Sequence, residues 1–414
     1  MAFARKDPVV FHDYLLIENN HFVYPERNSV YDVKRSGGIM RKRFFIVALV
    51  ILFISQNVLR AHTATNQSRC YEWAIVGAGF AGITALAVLL DAGVDPCSVA
   101  WIDPEFNVGR VGKHYREVPG NIQTQHLIEY VEDCPYFKDI NSAGVQTLYT
   151  YPAEQFQKLE VIVDPLLDFT AYLQNMVVAI QDSIGLLNRV DNHWVLESSD
   201  RILYAKKVIL AIGAHPKRLN YDIADIPLDD AFDKEKLMSS VSPDDSIAVF
   251  GGMHSAILVL KNLCDCCVKQ IVNFYLEDYF HGSPGLEGVA SMWAEEVLEK
   301  NPPAHLIRVV NTPENIQKIL PTCTKAVYAI GYESNKILIN DSFDVMFDEY
   351  TGTIDEDLYG IGIAFPPTGI FNGQKIAKNG LYAYLVYAKK LMPRWISGDK
   401  SYMIEDDGIE IPWI

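Results

Sequence analysis

The chain has 414 residues, 49% of them apolar and 21% charged, a globular composition with enough length to bury more than one core. A formal net charge of −16, with no run of interleaved basic and aromatic residues to offset it, argues against nucleic acid as a partner. The same acidity leaves a dinucleotide open, because such sites neutralise pyrophosphate locally with backbone N–H groups. Seven cysteines at irregular spacing define no disulfide framework. Cys264, Cys266 and Cys267 have no second ligand pair nearby to complete a zinc site, so they read as residues packed near a helix end and no metal is expected.

Residues 1–70 read as an N-terminal extension. Met40-Arg41-Lys42-Arg43 precedes an apolar run from Phe44 to Ile54, and small polar residues follow from Arg60 to Ser68. Basic start, short apolar stretch and polar exit form the layout of a secretory signal peptide, which makes Met40 the expected start. As a helix, residues 44–59 would span about 24 Å against a hydrocarbon core of roughly 30 Å. A single membrane anchor is the competing expectation, and a buried soluble segment a third. Export or membrane association is favoured over a cytoplasmic location.

The globular part opens near Tyr71. Glu72-Trp73-Ala74-Ile75-Val76 reads as a buried strand running into a glycine loop, Phe80 to Ala92 as a helix ending at Gly93, and Ser98 to Ile102 as a second strand ending in Asp103: a βαβ opening with a parallel sheet. Residues 104–125 read as a long loop, and Pro165 to Gln181 have helical periodicity. Two strands, Trp194-Val195-Leu196 and Ile202-Leu203-Tyr204, feed Val208 to Gly213. Between 216 and 245 the chain turns acidic, with Pro227 and Pro243, and a domain crossing is expected there. A second unit opens with the strand Ser246–Phe250, followed by Gly251-Gly252, a helix from Ser255 to Leu263 and a strand from Gln270 to Tyr275. The strand-end segment Ala211-Ile212-Gly213 is echoed by Ala329-Ile330-Gly331. A strand at 358–362 and a helix from about Gln374 to Met392 close the fold. Strand, glycine turn and helix thus occur twice, as in a duplicated nucleotide-binding module.

Gly77-Ala78-Gly79-Phe80-Ala81-Gly82 carries the strongest chemical signal. The first glycine allows the tight turn, the second lets backbone approach a pyrophosphate, and the third allows helix to pack closely on strand. Phosphates would sit on free N–H groups at the positive end of the helix dipole. Asp103 falls 21 residues after Gly82, where a carboxylate can bond ribose hydroxyls. The second loop, Gly251-Gly252-Met253-His254-Ser255-Ala256, keeps the first glycine and a small final residue but places Met253 where the middle glycine would stand. That unit either binds NAD(P)H in an altered pose or has lost it. His254 and Ser255 could meet phosphate or flavin, and Ser255 could equally be a plain N-cap. Tyr275-Leu276-Glu277 follows the next strand without an arginine, so a 2′-phosphate has no obvious partner.

With these motifs in place, residues 71–395 resemble the FAD-linked oxidoreductases with two dinucleotide-binding domains, the group holding pyridine-nucleotide-disulfide reductases and flavin-containing monooxygenases. The resemblance implies an α/β protein with two Rossmann-like domains. An FAD domain at 71–219 and 326–400 carries an inserted NAD(P)-binding-like domain at 220–325, and 401–414 form a tail. It places Gly213 and Gly362 against the flavin, with Gly362-Ile363 standing where relatives have Gly-Asp. In Gly109 to Asn121, Tyr115 and Asn121 have the six-residue spacing of flavin-containing and N-hydroxylating monooxygenases, which implies Asn121 beside the reactive flavin face. The cysteine pairs of disulfide reductases are missing. The expectation is an FAD-dependent, NAD(P)H-reduced, monooxygenase-like enzyme acting on a small molecule. Reduction of a quinone or small carrier, or a non-catalytic FAD-binding sensor, are the alternatives.

Overall fold

The computed structural model describes residues 69–138, 140–276, 285–371 and 374–398. All of them belong to one compact unit, Ser68–Ile414. The apolar run 44–59, with the signal or anchor expected there, lies outside the described residues, as does the tail 401–414. Among the described residues no helix is long and apolar enough to cross a membrane.

The first strand, β1 (Cys70–Val76), runs into helix α1 (Phe80–Asp91), and β2 (Val99–Asp103) returns beside it. Ten of the twelve residues of α1 are buried, so the helix has no polar face and sits inside the fold. The expected loop 104–125 contains a short helix, α2 (Gly109–His114), and a strand, β3 (Pro119–Gln123), paired with Phe156–Lys158. Helix α3 runs over Glu160–Met176, and Val178–Gln181 is a strand, β4. Pro165 therefore lies inside a helix where the sequence suggested a start. Its missing N–H removes one helical bond, offset by the burial of Val161, Ile162, Val163 and Leu166 around it.

An antiparallel meander leads into β5 (Ile202–Leu210). β4, β2, β1 and β5 stand side by side and parallel, within a nine-stranded sheet of the described residues. The chain leaves this sheet through β6 (Ala214–Pro216) and passes through α4 (Leu228–Phe232). It then builds a second sheet from β7 (Ser246–Phe250), α5 (His254–Cys264), β8 (Gln270–Tyr275), β9 (Leu306–Val310) and β10 (Lys325–Tyr328). That sheet is parallel throughout, with β7 between β10 and β8 and with Ala224–Asp225 at one edge. The chain returns through β11 (Tyr332–Ser334), antiparallel to β6, so both crossings run together as one ribbon. Because β10 hydrogen-bonds along β7, the return falls after residue 328, not at 325/326 as the sequence suggested. β12 (Leu358–Gly360) joins β5 in the first sheet. The closing helix, α6, spans Leu381–Ser397, later than expected, because Gln374–Ala377 pairs in a hairpin with Thr368–Phe371.

Candidate active site

A cavity of about 770 Å³ opens at the carboxyl ends of the first sheet, within the usual range for small-molecule and cofactor sites. Gly77, Gly79, Phe80 and Ala81 form one side. Asp103, α2, Asn121, Gly213 and Gly362 close around it, with Asn335 and Tyr384 from later in the chain.

The three glycines of the first loop have three separate reasons. Gly77 has φ +110°, and a Cβ there would lie 2.3 Å from the carbonyl oxygen of Ala211. A Cβ on Gly82 would lie 2.0 Å from the carbonyl oxygen of Gly77. Both are dictated by the protein's own packing. Gly79 is different: its φ of −81° and ψ of −175° are open to any residue, and the nearest neighbour of an added Cβ is the Gly109 Cα at 3.9 Å. Nothing in the polypeptide demands glycine there. The space its missing side chain leaves belongs to the cavity, at the N-terminus of a twelve-residue helix whose first-turn N–H groups have no intrahelical acceptor. A pyrophosphate fits this cradle in both shape and charge. Ala78 and Gly82 do not line the cavity; they shape the turn and the helix–strand contact behind it.

Asp103 lies on the wall and is buried. Its Oδ2 accepts the Ala78 N–H at 2.7 Å, and its Oδ1 accepts the Glu105 and Phe106 N–H groups at 2.8 and 2.7 Å. The carboxylate thus sets the loop as well as facing the cavity. With two oxygens and about four lone-pair sites, it keeps capacity for a ribose hydroxyl. Gly362, at φ +93°, brings backbone against the start of α1, where a Cβ would come 2.6 Å from that of Ala81.

Asn121 stands exposed on β3, on the cavity wall, its Nδ2 donating weakly to the Gly285 carbonyl at 3.4 Å. Tyr115 also borders the cavity, six residues before Asn121. It is buried, its hydroxyl donates to Asp229 Oδ1 at 2.5 Å, and Tyr332 donates to it at 3.1 Å. Burial, with the Asp229 carboxylate beside it, pushes the phenol far above its ordinary pKa. Tyr115 therefore ties the cavity wall to Asp229 and Tyr332. Arg110 pairs with the same Asp229 and donates to the Ala214 carbonyl at 3.2 Å. These contacts tie α2 to α4 and to both crossing strands. Arg110, Asn335 and Tyr384 carry no motif and escaped the sequence reading. Asn335 stands four residues beyond Gly331, where its Nδ2 donates to the Ile212 carbonyl at 2.8 Å.

Gly251, Gly252, His254, Ser255 and Ala256 are not part of this cavity; they lie at the carboxyl end of the second sheet. Gly251 repeats Gly77: φ is +126°, and a Cβ would meet the Ala329 oxygen at 2.2 Å. Met253 has φ −100° and ψ −170°, close to the values at Gly79, and is 39% exposed, so its side chain leaves the turn intact. The cap position belongs to Met253, which puts Ser255 inside the helix and rules out its N-cap role. His254 Nε2 lies 3.3 Å from the Pro119 carbonyl, on the strand that carries Asn121, and burial pushes its pKa down. The second glycine loop is thereby joined to the wall of the first site.

No family model matches the chain. Among solved structures it is similar to a bacillithiol disulfide reductase from Staphylococcus aureus (TM-score 0.57, 12% identity, 80% of this chain and all of that one). It is also similar to an ornithine N-hydroxylase from Kutzneria sp. 744 (TM-score 0.54, 11% identity, 80% of this chain and all of that one). Both share its fold of two dinucleotide-binding units. Fold and cradle together point to a dinucleotide: the chain has the fold of proteins built on two such units, and the first loop and Asp103 fit a pyrophosphate and its ribose. In sequence, the chain is similar to the monooxygenase AgnR1 of Paecilomyces divaricatus, with 26% identity over 78% of this chain and 97% of the relative.

Proposed function

We propose that the protein is an NAD(P)H-reduced flavin monooxygenase that acts on a small organic molecule. When bound, FAD supplies the redox chemistry, taking electrons from a nicotinamide and passing them to oxygen. This chain's own residues bind and orient. The amides at the start of α1 hold the pyrophosphate, Asp103 grips the adjoining sugar and fixes the loop, and Gly213 and Gly362 bring backbone against the flavin. The Asn121 amide faces the cavity with a donor and an acceptor and would orient oxygen or the nicotinamide. The observation that carries the reading is Gly79, whose lack of a side chain has no cause within the polypeptide. None of the seven cysteines lines the cavity, which favours oxygen over a disulfide as the electron acceptor, since dithiol chemistry needs sulfurs beside the flavin.

Residues 61–414 purified aerobically should be yellow, and the colour should bleach when NADPH or NADH is added without oxygen. Admitting air should restore the colour, with oxygen uptake and peroxide release in the absence of substrate. A yellow protein that no nicotinamide bleaches would leave a flavin-binding sensor instead. Export or membrane attachment through residues 44–59 is a further part of this proposal, and N-terminal sequencing of native protein, which should begin beyond residue 59 if a signal is removed, tests it.

A further inference from the structure

Most cavity-lining side chains that can move a proton are committed to protein partners. Asp103 accepts three backbone N–H groups, Arg110 pairs with Asp229, and Lys113 pairs with Glu105. Asp182 pairs with Arg201 and takes the Ser198 hydroxyl, while Tyr332 is bonded to Tyr115. His114, the last residue of α2, is different, and among the described residues it is the one imidazole on the cavity wall. Among those residues neither of its ring nitrogens has a hydrogen-bond partner. Nε2 stands 3.9 Å from Asp229 Oδ2, an ion-pair separation, and the side chain is 27% exposed.

The charged groups facing the ring are Asp229 on α4, Lys236 just past α4, and Arg110 and Lys113 on its own helix. The Tyr115 ring lies beside it, with 6.3 Å between centroids. Burial, joined by the three cations, outweighs Asp229 and holds the imidazole below its ordinary pKa of about 6.5. At neutral pH the ring is therefore uncharged and able to accept a proton. Once it has done so, the imidazolium stands beside a carboxylate that Arg110 and the Tyr115 hydroxyl keep in place. A base near neutrality with a fixed counter-charge behind it is the arrangement proton abstraction needs.

We propose that His114 is the general base of this cavity and that the substrate carries an acidic O–H, as a phenol or an enol does. The proposal rests on the reading of this cavity as the site of oxidation. Oxygen transfer calls for an electron-rich acceptor, and a phenol or enol becomes one on losing its proton. The O–H bond breaks, its electron pair stays with the substrate, and an N–H bond forms on the imidazole. The proton then passes to water at the exposed part of the ring. Ile122, Leu127, Leu159, Ile162 and Leu381 line the same cavity and suit an apolar carbon frame.

The test uses the yellow holoprotein and 4-nitrophenol as probe. Its affinity should fall as pH drops below the depressed pKa of His114, because the protonated ring no longer accepts the phenol's hydrogen bond. His114→Gln should bind the probe about five- to tenfold more weakly at neutral pH, the loss of one hydrogen bond, and should lack the acid limb. In wild type, diethyl pyrocarbonate, which acylates neutral imidazole, should label His114 by peptide mass mapping, and saturating 4-nitrophenol should slow that labelling severalfold while leaving His126 unaffected. The second measurement stands even where His114→Gln fails to fold. Absence of probe binding, an acid limb retained in His114→Gln, or labelling of His114 that the probe does not slow would overturn the proposal. A protein that is yellow and bleached by NADPH yet gives any of these results keeps the flavoenzyme reading and loses the base; a colourless protein strikes the flavoenzyme reading itself.

Discussion

At Gly77 a side chain would strike the Ala211 carbonyl, and φ is +110°; two residues on, at Gly79, φ is −81° and no protein atom stands within 3.9 Å of where a Cβ would go. The two positions should therefore respond differently to the same substitution. Gly77→Val forces an unfavourable backbone and a clash, at a cost of about 1–3 kcal/mol or more, visible as a lowered urea midpoint. Gly79→Val should leave the far-UV circular dichroism and the urea midpoint of the flavin-free protein unchanged while abolishing the yellow colour. A coloured Gly79→Val protein would remove the cradle from the argument. The first, second and third glycines look alike in sequence, and only the contacts separate a structural glycine from one that yields its space to a ligand.

Two elements are held by carboxylates that no motif marks. Asp229, on the five-residue helix α4, takes the hydroxyl of buried Tyr115 and pairs with Arg110. Asp229→Ala leaves that phenol without its acceptor, which should lower stability by about 1–3 kcal/mol in urea titrations and weaken flavin retention, because α2 lines the cavity. Stability without any loss in Asp229→Ala would mean the contact is dispensable. Asp245, just ahead of β7, is buried, which by itself would raise its pKa. The Lys325 ammonium at 2.8 Å, the Thr324 hydroxyl at 2.7 Å and the Ser242 N–H at 2.8 Å outweigh that and hold it at about 2. A carboxyl depressed in the folded state contributes stability above its unfolded pKa near 3.9 and loses it as pH falls through the folded value. Between pH 4 and pH 2 the wild type should accordingly lose more stability than Asp245→Asn, measured by thermal melts of both across that range. Parallel curves would show that the carboxylate does not anchor the start of the second sheet.

For the molecule as a whole, a ligand that binds only the folded state stabilises it by mass action, by about 2.7 kcal/mol when free ligand is near one hundred times Kd. Melting temperature should rise with added FAD in wild type and stay flat in Gly79→Val. A rise of the same size in both would place flavin elsewhere.

Local signals made much of this protein legible in its sequence. Strand, glycine loop and helix at 72–92, the carboxylate at 103 and the repetition of that pattern at 246–263 are set by neighbours within a few residues of one another, where turn sterics and hydrophobic period act. Elements whose limits depend on distant partners were less legible. Helix α3 begins five residues before Pro165 because Val161, Ile162, Val163 and Leu166 are buried, and β10 stays in the second sheet because it pairs with β7. Only tertiary structure could bury Tyr115 on Asp229, bring Asn335 to the cavity wall, or set His114 beside Asp229. Contacts between residues dozens to hundreds of positions apart leave no periodicity or spacing to read; they exist once the sheets have formed and the side chains face each other.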